Sequence, residues 1–255
     1  MAGTSLFQAE DLSISFGGVK AVRDVSFEIV VGEVFSIIGP NGAGKTTVFN
    51  LISRFYDADT GRMAFAGEDM TGVPAHRIAE LGIARTFQNT ELFNRETVLD
   101  NLLVGRHVHR QTSLASDILF LPKVRRQEVA FRRKVEDIID LLDLQRHREA
   151  PVGSLPFGAR KMVEIGRALC TEPKLLLLDE PSSGLNPEET EDLSFWIEDI
   201  VEDLGITVAM VEHDMNLVAT VSDRVLAMAD GAVIAVGEAT EIQSHPEVLR
   251  AYLGD

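Results

Sequence analysis

The feature that most constrains this chain is a glycine-rich turn between an apolar run and a helical pattern. It reads Gly39-Pro40-Asn41-Gly42-Ala43-Gly44-Lys45-Thr46-Thr47, which fits the phosphate-loop pattern G-x-x-x-x-G-K-[ST]. Gly42 and Gly44 allow positive φ angles and a close approach of the backbone to a ligand. Successive backbone N–H groups and the start of the following helix then favour an anion. The stretch therefore predicts a phosphate-binding loop.

The residues on either side of this loop supply the context that the pattern requires. Residues 34–38 are a short apolar run of the kind a buried strand needs, and Val48, Leu51 and Ile52 follow at helical spacing. Strand, loop and helix are thus in the expected order. In such a loop Lys45 provides a positive charge for the β- and γ-phosphates, and the Thr46 hydroxyl is a ligand for Mg²⁺.

An acidic pair follows a second apolar run. Residues 175–178 are four leucines, and Asp179 and Glu180 come directly after them. A continuous apolar run predicts a strand buried on both faces of a parallel sheet, and ligands bind at the carboxyl ends of such strands. We expect Asp179 to hold Mg²⁺ through water and Glu180 to orient or deprotonate the attacking water. Many buried strands end in acids, so this interpretation depends on the phosphate loop.

Two further polar residues follow predicted strands. His213 comes after the apolar residues 206–211, and Gln88 ends a strand predicted over residues 83–87. We expect His213 to contact the γ-phosphate and Gln88 to reach the metal and the attacking water. The other histidines show no ligand spacing.

Composition excludes several classes of protein. The formal net charge is −16, which argues against a general nucleic-acid binder because such proteins need a basic surface. The single cysteine, Cys170, excludes an internal disulfide and fits a reducing compartment. No apolar run approaches the roughly 18–20 residues of a membrane span. The first ten residues lack the pattern of a secretory signal.

Periodicity divides the chain into an α/β core and a helical insertion. Alternating apolar residues and Gly17-Gly18 predict an antiparallel β subdomain near the start. Residues 97–143 instead show helical patterns, such as Val135, Ile138, Ile139 and Leu142 on one face. We therefore expect a nucleotide-binding α/β core made of residues 1–90 and 163–255, with residues 91–162 as a helical subdomain within a single domain.

Together these motifs resemble the ATP-binding cassette (ABC) ATPases that power membrane transporters, over essentially the whole chain. The resemblance implies a P-loop NTPase (RecA-like) core that uses ATP and Mg²⁺. It implies that Phe16 stacks on adenine, that Gln88 is the Q-loop glutamine and that His213 is the switch histidine. Residues 182–186 match the D-loop, with Asn186 where the family commonly has Asp.

The signature segment is the main departure from the family. Leu155-Pro156-Phe157-Gly158-Ala159 stands where the family usually reads L-S-G-G-Q. Family members form a head-to-tail dimer in which this segment of one cassette caps the γ-phosphate held by the other. Pro156 has neither the hydroxyl nor the N–H that would bind phosphate, although Gly158 is kept. We expect the site capped by this segment to be the slower of an asymmetric pair, unless Ser154 or a water substitutes.

A narrower resemblance is to the ATPases of branched-chain amino acid importers. It is carried by Arg85-Thr86-Phe87-Gln88-Asn89, by Val211-Glu212-His213-Asp214-Met215 and by the ending Pro246-Glu247-Val248-Leu249-Arg250-Ala251-Tyr252-Leu253-Gly254. It implies a second ABC ATPase subunit, two transmembrane permease subunits, indirectly an external substrate-binding protein, and a peripheral location on the cytoplasmic face of the cell (inner) membrane. Related cassettes import urea, amides or aromatic acids, or export lipopolysaccharide, and a weakly hydrolysing partner in a heterodimer is a further alternative. A GTPase is disfavoured because no N-K-x-D motif is present.

Overall fold

The computed structural model describes residues 3–86, 92–110 and 122–253, and the chain divides into two compact units. The first unit contains residues 1–85 and 174–255, and the second contains residues 86–173. The predicted division had its boundaries at residues 90 and 163. In the structure the second unit extends to residue 173 instead of 162, because the helix over residues 157–169 packs against the helices of that unit.

In the described residues, the strands belong to the first unit. They are β1 (Ser5–Phe16), β2 (Val19–Val30), β3 (Val34–Ile38), β4 (Thr60–Phe65), β5 (Glu68–Asp69), β6 (Ile83–Arg85), β7 (Leu175–Asp179), β8 (Thr207–Val211), β9 (Arg224–Ala229) and β10 (Ala232–Gly237). The antiparallel sheet has the order β2-β1-β4-β5, and the second sheet has the order β10-β9-β3-β8-β7-β6. Within the second sheet β9 and β10 are antiparallel and the other pairs are parallel. The predicted α/β class with an antiparallel subdomain is confirmed.

The helices are shared between the units. They are α1 (Lys45–Ile52), α2 (Ile78–Leu81), α3 (Val98–Gly105), α4 (Pro122–Leu141), α5 (Phe157–Leu169), α6 (Pro187–Glu202), α7 (Met215–Val221), α8 (Ala239–Ser244) and α9 (Pro246–Leu253). Short 3-10 turns cover Ala75–Arg77, Arg106–His109, Gln145–His147 and Val152–Ser154. In the part of the chain that the structure describes, no helix has both the length and the apolar character needed to cross a membrane.

The central parallel strands are buried on both faces. Every residue of β3, β7 and β8 is buried, as the unbroken apolar runs predicted. Val211 pairs with both Ile37 and Asp179, so β3, β7 and β8 end at the same edge of the sheet. The residues that follow these ends are therefore brought together by the sheet register.

Local signals explain where α6 begins. Asn186 is its N-cap: the side chain accepts a hydrogen bond from the Glu189 N–H, and the Glu189 side chain accepts one from the Asn186 N–H. Pro187 is the first helical residue, where its missing N–H has no cost. Asn and Asp are equivalent N-caps, so Asn186 caps this helix as an aspartate would.

The second unit is a packed group of helices. Asn101 of α3 is fully buried, and its amide accepts a hydrogen bond from the Phe93 N–H while donating to the carbonyls of Phe93 and Thr97. Helix α4 is described over Pro122–Leu141. Its predicted apolar face is buried. Thus the helical pattern of this stretch and the burial of its apolar face agree.

Candidate functional site

The glycine-rich loop connects β3 to α1. Gly44 is the N-cap of α1 with a φ of 98°, and a Cβ there would lie 2.5 Å from the Ala21 carbonyl oxygen. At Gly39 a Cβ would lie 2.2 Å from the Met228 carbonyl oxygen. Gly42 has a φ of 81°. These glycines are required because side chains would either strain the backbone or collide with neighbouring strands.

The loop and one of the predicted acids enclose a cavity of about 190 Å³. Its lining residues are Ala21, Asn41, Gly42, Ala43, Gly44, Lys45, Thr46, Thr47 and Glu180. Glu180 is more than 130 residues away from the loop in sequence, and the parallel sheet brings it there. The cavity therefore combines an anion-binding loop, a cation and a carboxylate, which is the set of groups that phosphoryl transfer to water needs.

Lys45 is held inside the loop. Its Nζ donates hydrogen bonds to the carbonyl oxygens of Gly39, at 2.7 Å, and Pro40, at 3.0 Å. Burial lowers the pKa of the Lys45 ammonium, and the charges of Glu180 and Asp179 oppose that shift. The ammonium is thus a partly desolvated cation near acidic groups, which strengthens its attraction for a phosphate.

The acidic pair has two different environments. Asp179 is buried, and its Oδ2 lies 2.7 Å from Arg85 Nη2. Glu180 lines the cavity and has a φ of 50°, which is unusual for a residue other than glycine. Its N–H donates to the Val211 carbonyl, and its own carbonyl accepts from the Ser183 N–H. These bonds hold a strained backbone that turns the Glu180 side chain toward the loop, as strain at functional sites often does.

His213 lies after β8 but does not line the cavity. Its side chain is 59% exposed, with Nδ1 3.7 Å from the Glu212 carboxylate. Glu212 itself is fully buried and accepts hydrogen bonds from the backbone N–H groups of Ser182, His213 and Asp214. Glu212 is not among the predicted site residues, although an acid directly after an apolar run is a signal in the sequence. Through these hydrogen bonds Glu212 links the segment after Glu180 to the segment that carries His213.

Phe16 lies at the end of β1, and it too is outside the cavity lining. The ring is 43% exposed and packs edge to face against Tyr56, with centroids 5.0 Å apart. The partner ring of Tyr56 was not foreseen, because it lies after α1 and far from Phe16 in sequence. Gln88, the remaining predicted residue of this site, lies outside the described residues, and so does Phe87, so β6 is described only as far as Arg85.

The signature segment belongs to the second unit. Leu155 and Gly158 are buried, whereas the Phe157 ring is 44% exposed, with the Arg160 guanidinium carbon 5.8 Å from its centroid. Pro156 is the N-cap of α5 and provides no side-chain cap. The Ser154 hydroxyl donates a hydrogen bond to the Pro151 carbonyl, so its proton is engaged within the same segment.

The hairpin turn between β9 and β10 supports the phosphate loop. The Gly231 N–H donates to the Ala43 carbonyl, and the Gly231 carbonyl accepts from the Arg23 N–H. A Cβ at Gly231 would lie 2.8 Å from the Ala21 carbonyl oxygen. An Asp-Gly pair such as Asp230-Gly231 is a hairpin signal in the sequence, but the contact of this turn with the phosphate loop is tertiary and leaves no local signal.

Comparison with known families decides what kind of protein carries this site. The family model described as ABC transporter matches residues 22–183. The chain belongs to the ABC transporter family. A second model, described as branched-chain amino acid ATP-binding cassette transporter, matches residues 232–255 of this ABC protein. The chain is therefore an ABC ATPase.

Full-length relatives of this ABC protein include transport subunits from bacteria and archaea. It is 38% identical over 250 residues to the high-affinity branched-chain amino acid transport ATP-binding protein BraF of Pseudomonas aeruginosa, with 98% of each chain covered. The corresponding protein LivG of Escherichia coli is also 38% identical, with the same coverage. A probable LivG of Archaeoglobus fulgidus is 35% identical and covers 98% of this chain and 95% of its own.

Solved structures share the fold. A nucleotide-free ATP-binding cassette of an ABC transporter is 32% identical, with a TM-score of 0.85, and the match covers 99% of this chain and 100% of that one. An ATP-binding cassette of an ABC transporter in its ADP conformation is 33% identical, with a TM-score of 0.86 and the same coverage. A dimeric bacterial ABC transporter cassette is 22% identical, covers 92% of this chain and 99% of that one, and with a TM-score of 0.76 shows the fold alone.

Proposed function

We propose that this chain is the ATP-hydrolysing subunit of a transporter that imports branched-chain or related amino acids. The observation that carries the ATPase role is the cavity in which the phosphate loop and Glu180 meet. The substrate class is supported by the match of residues 232–255 and by the names of the full-length relatives. Urea, amide or aromatic acid import and lipopolysaccharide export are the alternatives within the family.

The residues of the loop bind the phosphates in this proposal. Backbone N–H groups of residues 39–47 and the N-terminus of α1 bind phosphate oxygens, and Lys45 adds its positive charge. The Lys45 ammonium leaves the carbonyls of Gly39 and Pro40 when a phosphate replaces them. Phe16 binds the adenine ring, which an exposed aromatic side chain does by stacking.

The residues around the cavity also suit Mg²⁺, which family membership implies. The exposed Thr46 hydroxyl and the Asp179 carboxylate are hard oxygen donors, and Mg²⁺ is usually held by one or two carboxylates together with substrate phosphates and waters. Thr46, Asp179 and, from the resemblance, Gln88 would hold the ion. When bound, Mg²⁺ neutralises the charge that develops on the phosphates.

Hydrolysis depends on the acidic and polar residues near the cavity. Glu180 accepts the proton of the attacking water or orients that water, His213 contacts the γ-phosphate and Gln88 contacts the water. Lys45 stabilises the charge of the transferred phosphoryl group. Because Glu180 is held by its backbone turn, its carboxylate needs little reorganisation.

Several partners follow from this function. A second ABC ATPase subunit, identical or similar, supplies the signature segment that caps this cavity, while Leu155, Pro156, Phe157 and Gly158 cap the nucleotide of that partner. Transmembrane permease subunits hold the pair at the cytoplasmic face of the membrane, and an external binding protein delivers the solute. ATP binding closes the pair, and hydrolysis reopens it.

A change of Glu180→Gln tests the ATPase role. The variant should bind ATP as tightly as the wild type and lose turnover by a factor of about 10² or more, because only the proton-accepting carboxylate is removed. Binding of a fluorescent ATP analogue and release of phosphate are the two measurements. Glu198→Gln, on the exposed face of α6, is the matched control and should change neither. Near-normal turnover in Glu180→Gln would remove Glu180 from this role.

The transported solute needs the assembled complex. The chain should co-purify with its membrane subunits, and in proteoliposomes the ATPase rate should rise with binding protein loaded with a branched-chain amino acid. Urea, short amides and aromatic acids are run in parallel. Stimulation by one of these solutes instead would assign the alternative substrate.

A further inference from the structure

The ion pair between Arg85 and Asp179 lies beside the cavity. Arg85 ends β6 and pairs across the parallel strands with Leu177, two residues before Asp179 on β7. Because alternate residues of a strand share a face, Arg85, Leu177 and Asp179 lie on one face of the sheet. The Nη2 and Oδ2 atoms are 2.7 Å apart, and the two side chains are only 7% and 2% exposed.

The other half of the same guanidinium contacts the helix that follows the phosphate loop. Arg85 Nη1 donates to Asn50 Oδ1 at 2.7 Å and to Ser53 Oγ at 2.9 Å. Its central carbon lies 5.7 Å from the centroid of the Phe49 ring. Asn50 is in the last turn of α1, and Ser53 is its C-cap. One buried cation thus joins the end of β7 to the far end of the helix that begins with Lys45.

The geometry of this contact restricts two elements at once. A guanidinium is a planar fork whose donors keep fixed directions, so binding on both sides sets the orientation of each partner. The positive charge also suits the carboxyl end of α1, where the helix dipole is negative. Removing one member of a buried ion pair leaves the other charge uncompensated. Without Arg85, the Asp179 carboxylate would lose the cation that contacts it at 2.7 Å and the direction that this contact fixes.

We propose that Arg85 is a positioning residue for the metal–nucleotide site. It orients the Asp179 carboxylate and fixes the end of β7 against α1, the helix that also carries Thr46. The inference rests on the proposed function, in which Asp179 and Thr46 hold Mg²⁺. Groups that orient metal ligands change metal affinity by roughly 10–100-fold when they are removed.

The test uses the full-length chain with Mn²⁺ as a spectroscopic probe for the metal. Electron paramagnetic resonance gives the Mn²⁺ affinity of the nucleotide-bound protein, and a fluorescent ATP analogue in EDTA gives the metal-free nucleotide affinity. Arg85→Met should weaken Mn²⁺ binding roughly 10–100-fold and leave metal-free nucleotide binding nearly unchanged. Arg85→Lys, which keeps the charge but not the fork, should fall between Arg85→Met and the wild type.

Arg224→Met is the matched control. Arg224 begins β9 of the same sheet, its Nη1 lies 3.2 Å from Glu33 Oε1, and its guanidinium carbon lies 5.5 Å from the Phe35 ring centroid. It therefore resembles Arg85 in its contacts but lies at the opposite, amino-terminal end of the parallel strands. This variant should lower the unfolding temperature without changing Mn²⁺ affinity.

Wild-type Mn²⁺ affinity in Arg85→Met overturns the proposal, and so does an equal loss of affinity in Arg224→Met. If Arg85→Met does not fold, Arg85→Lys and Asn50→Ala replace it. Asn50→Ala keeps the ion pair and removes one of the two anchors on α1. Unchanged Mn²⁺ affinity in both would again overturn the proposal. Absence of metal-dependent nucleotide binding in the wild type would instead refute the proposed function.

Discussion

At the scale of single residues, two fully buried polar side chains, Glu212 and Asn101, are bound by specific partners. Glu212 accepts hydrogen bonds from three backbone N–H groups, and Asn101 makes hydrogen bonds to the turn before α3. Such groups are costly to bury unless they are satisfied, so each one fixes the segments that it contacts. Near the cavity, the hydrogen bonds of Glu212 therefore fix the segments that carry Glu180 and His213.

Cys170 gives a prediction at this scale. The thiol is buried, and burial raises its pKa to about 12. Because the thiolate is the reactive form, we expect the folded protein to resist iodoacetamide at pH 8.5 and the unfolded protein to react fully. Mass spectrometry in buffer and in guanidinium chloride measures both states, and the chain has no other cysteine to confuse the readout.

The same pKa shift has a consequence for stability, and the sign follows from linkage. The folded pKa lies above the unfolded value of about 8.5, so the folded state holds its proton longer. The contribution of Cys170 to stability is therefore full below about pH 8.5 and is lost as the pH rises toward 12. Rapid alkylation of the native protein at pH 8.5 would contradict this account of a buried thiol.

At the scale of elements, close packing of helices depends on small residues. Gly105 is the last residue of α3, and a Cβ there would lie 2.2 Å from the Arg167 carbonyl oxygen and 2.8 Å from the Cys170 Cβ. Both contacts are with the end of α5 and the residue that caps it. The glycine has a normal helical φ of −59°, so its role is close approach rather than an unusual backbone angle.

Gly105→Ala should therefore destabilise the second unit. Overpacking of this kind costs about 1–3 kcal/mol, because α3 and α5 must move apart or shift along each other. Chemical denaturation followed by circular dichroism measures the loss. Val104→Ala, at an exposed position one residue earlier, is the control and should change stability by no more than about 0.5 kcal/mol. Equal stability of the wild type and Gly105→Ala would mean that the helices separate without cost.

At the scale of the whole molecule, the signature segment is the part of the chain that bears on the proposed cassette dimer. Pro156 replaces the serine that is usual in the family and provides no cap for α5, and Ser154 is occupied by the Pro151 carbonyl. Neither residue offers a free hydroxyl proton to a phosphate. In the proposed dimer, capping of the partner's nucleotide would then depend on the backbone near Gly158.

Pro156→Ser should raise the ATPase rate of the assembled transporter. The serine provides an N-cap for α5 and a hydroxyl for the γ-phosphate, and one hydrogen bond to a charged group contributes about 1.5–3 kcal/mol. Phosphate release by the complex in proteoliposomes is the measurement, and Pro156→Ala controls for the loss of the ring. An unchanged rate in Pro156→Ser would show that this site does not limit turnover.

The sequence by itself predicted the fold class and the order of strand, loop and helix around residues 39–47. The glycine pattern of residues 39–47, the apolar runs of β3, β7 and β8 and the helical face of residues 135–142 are local signals, and the structure agrees with each of them. One local feature was missed. The short helix α7, which has only seven residues, was not predicted, although Asp214 caps it. The roles of all the predicted site residues, Phe16, Gln88 and His213 among them, remain predictions.

Tertiary structure alone decided which distant residues meet. The pairing of Arg85 with Asp179, the support of the loop by Gly231 and Ala21, and the packing of α5 within the second unit join segments far apart in sequence. Periodicity and turn signals describe how a segment buries its own side chains. They do not specify which neighbour covers it, because that depends on strand order and register. The order of the parallel strands therefore determined that Glu180 reaches the phosphate loop.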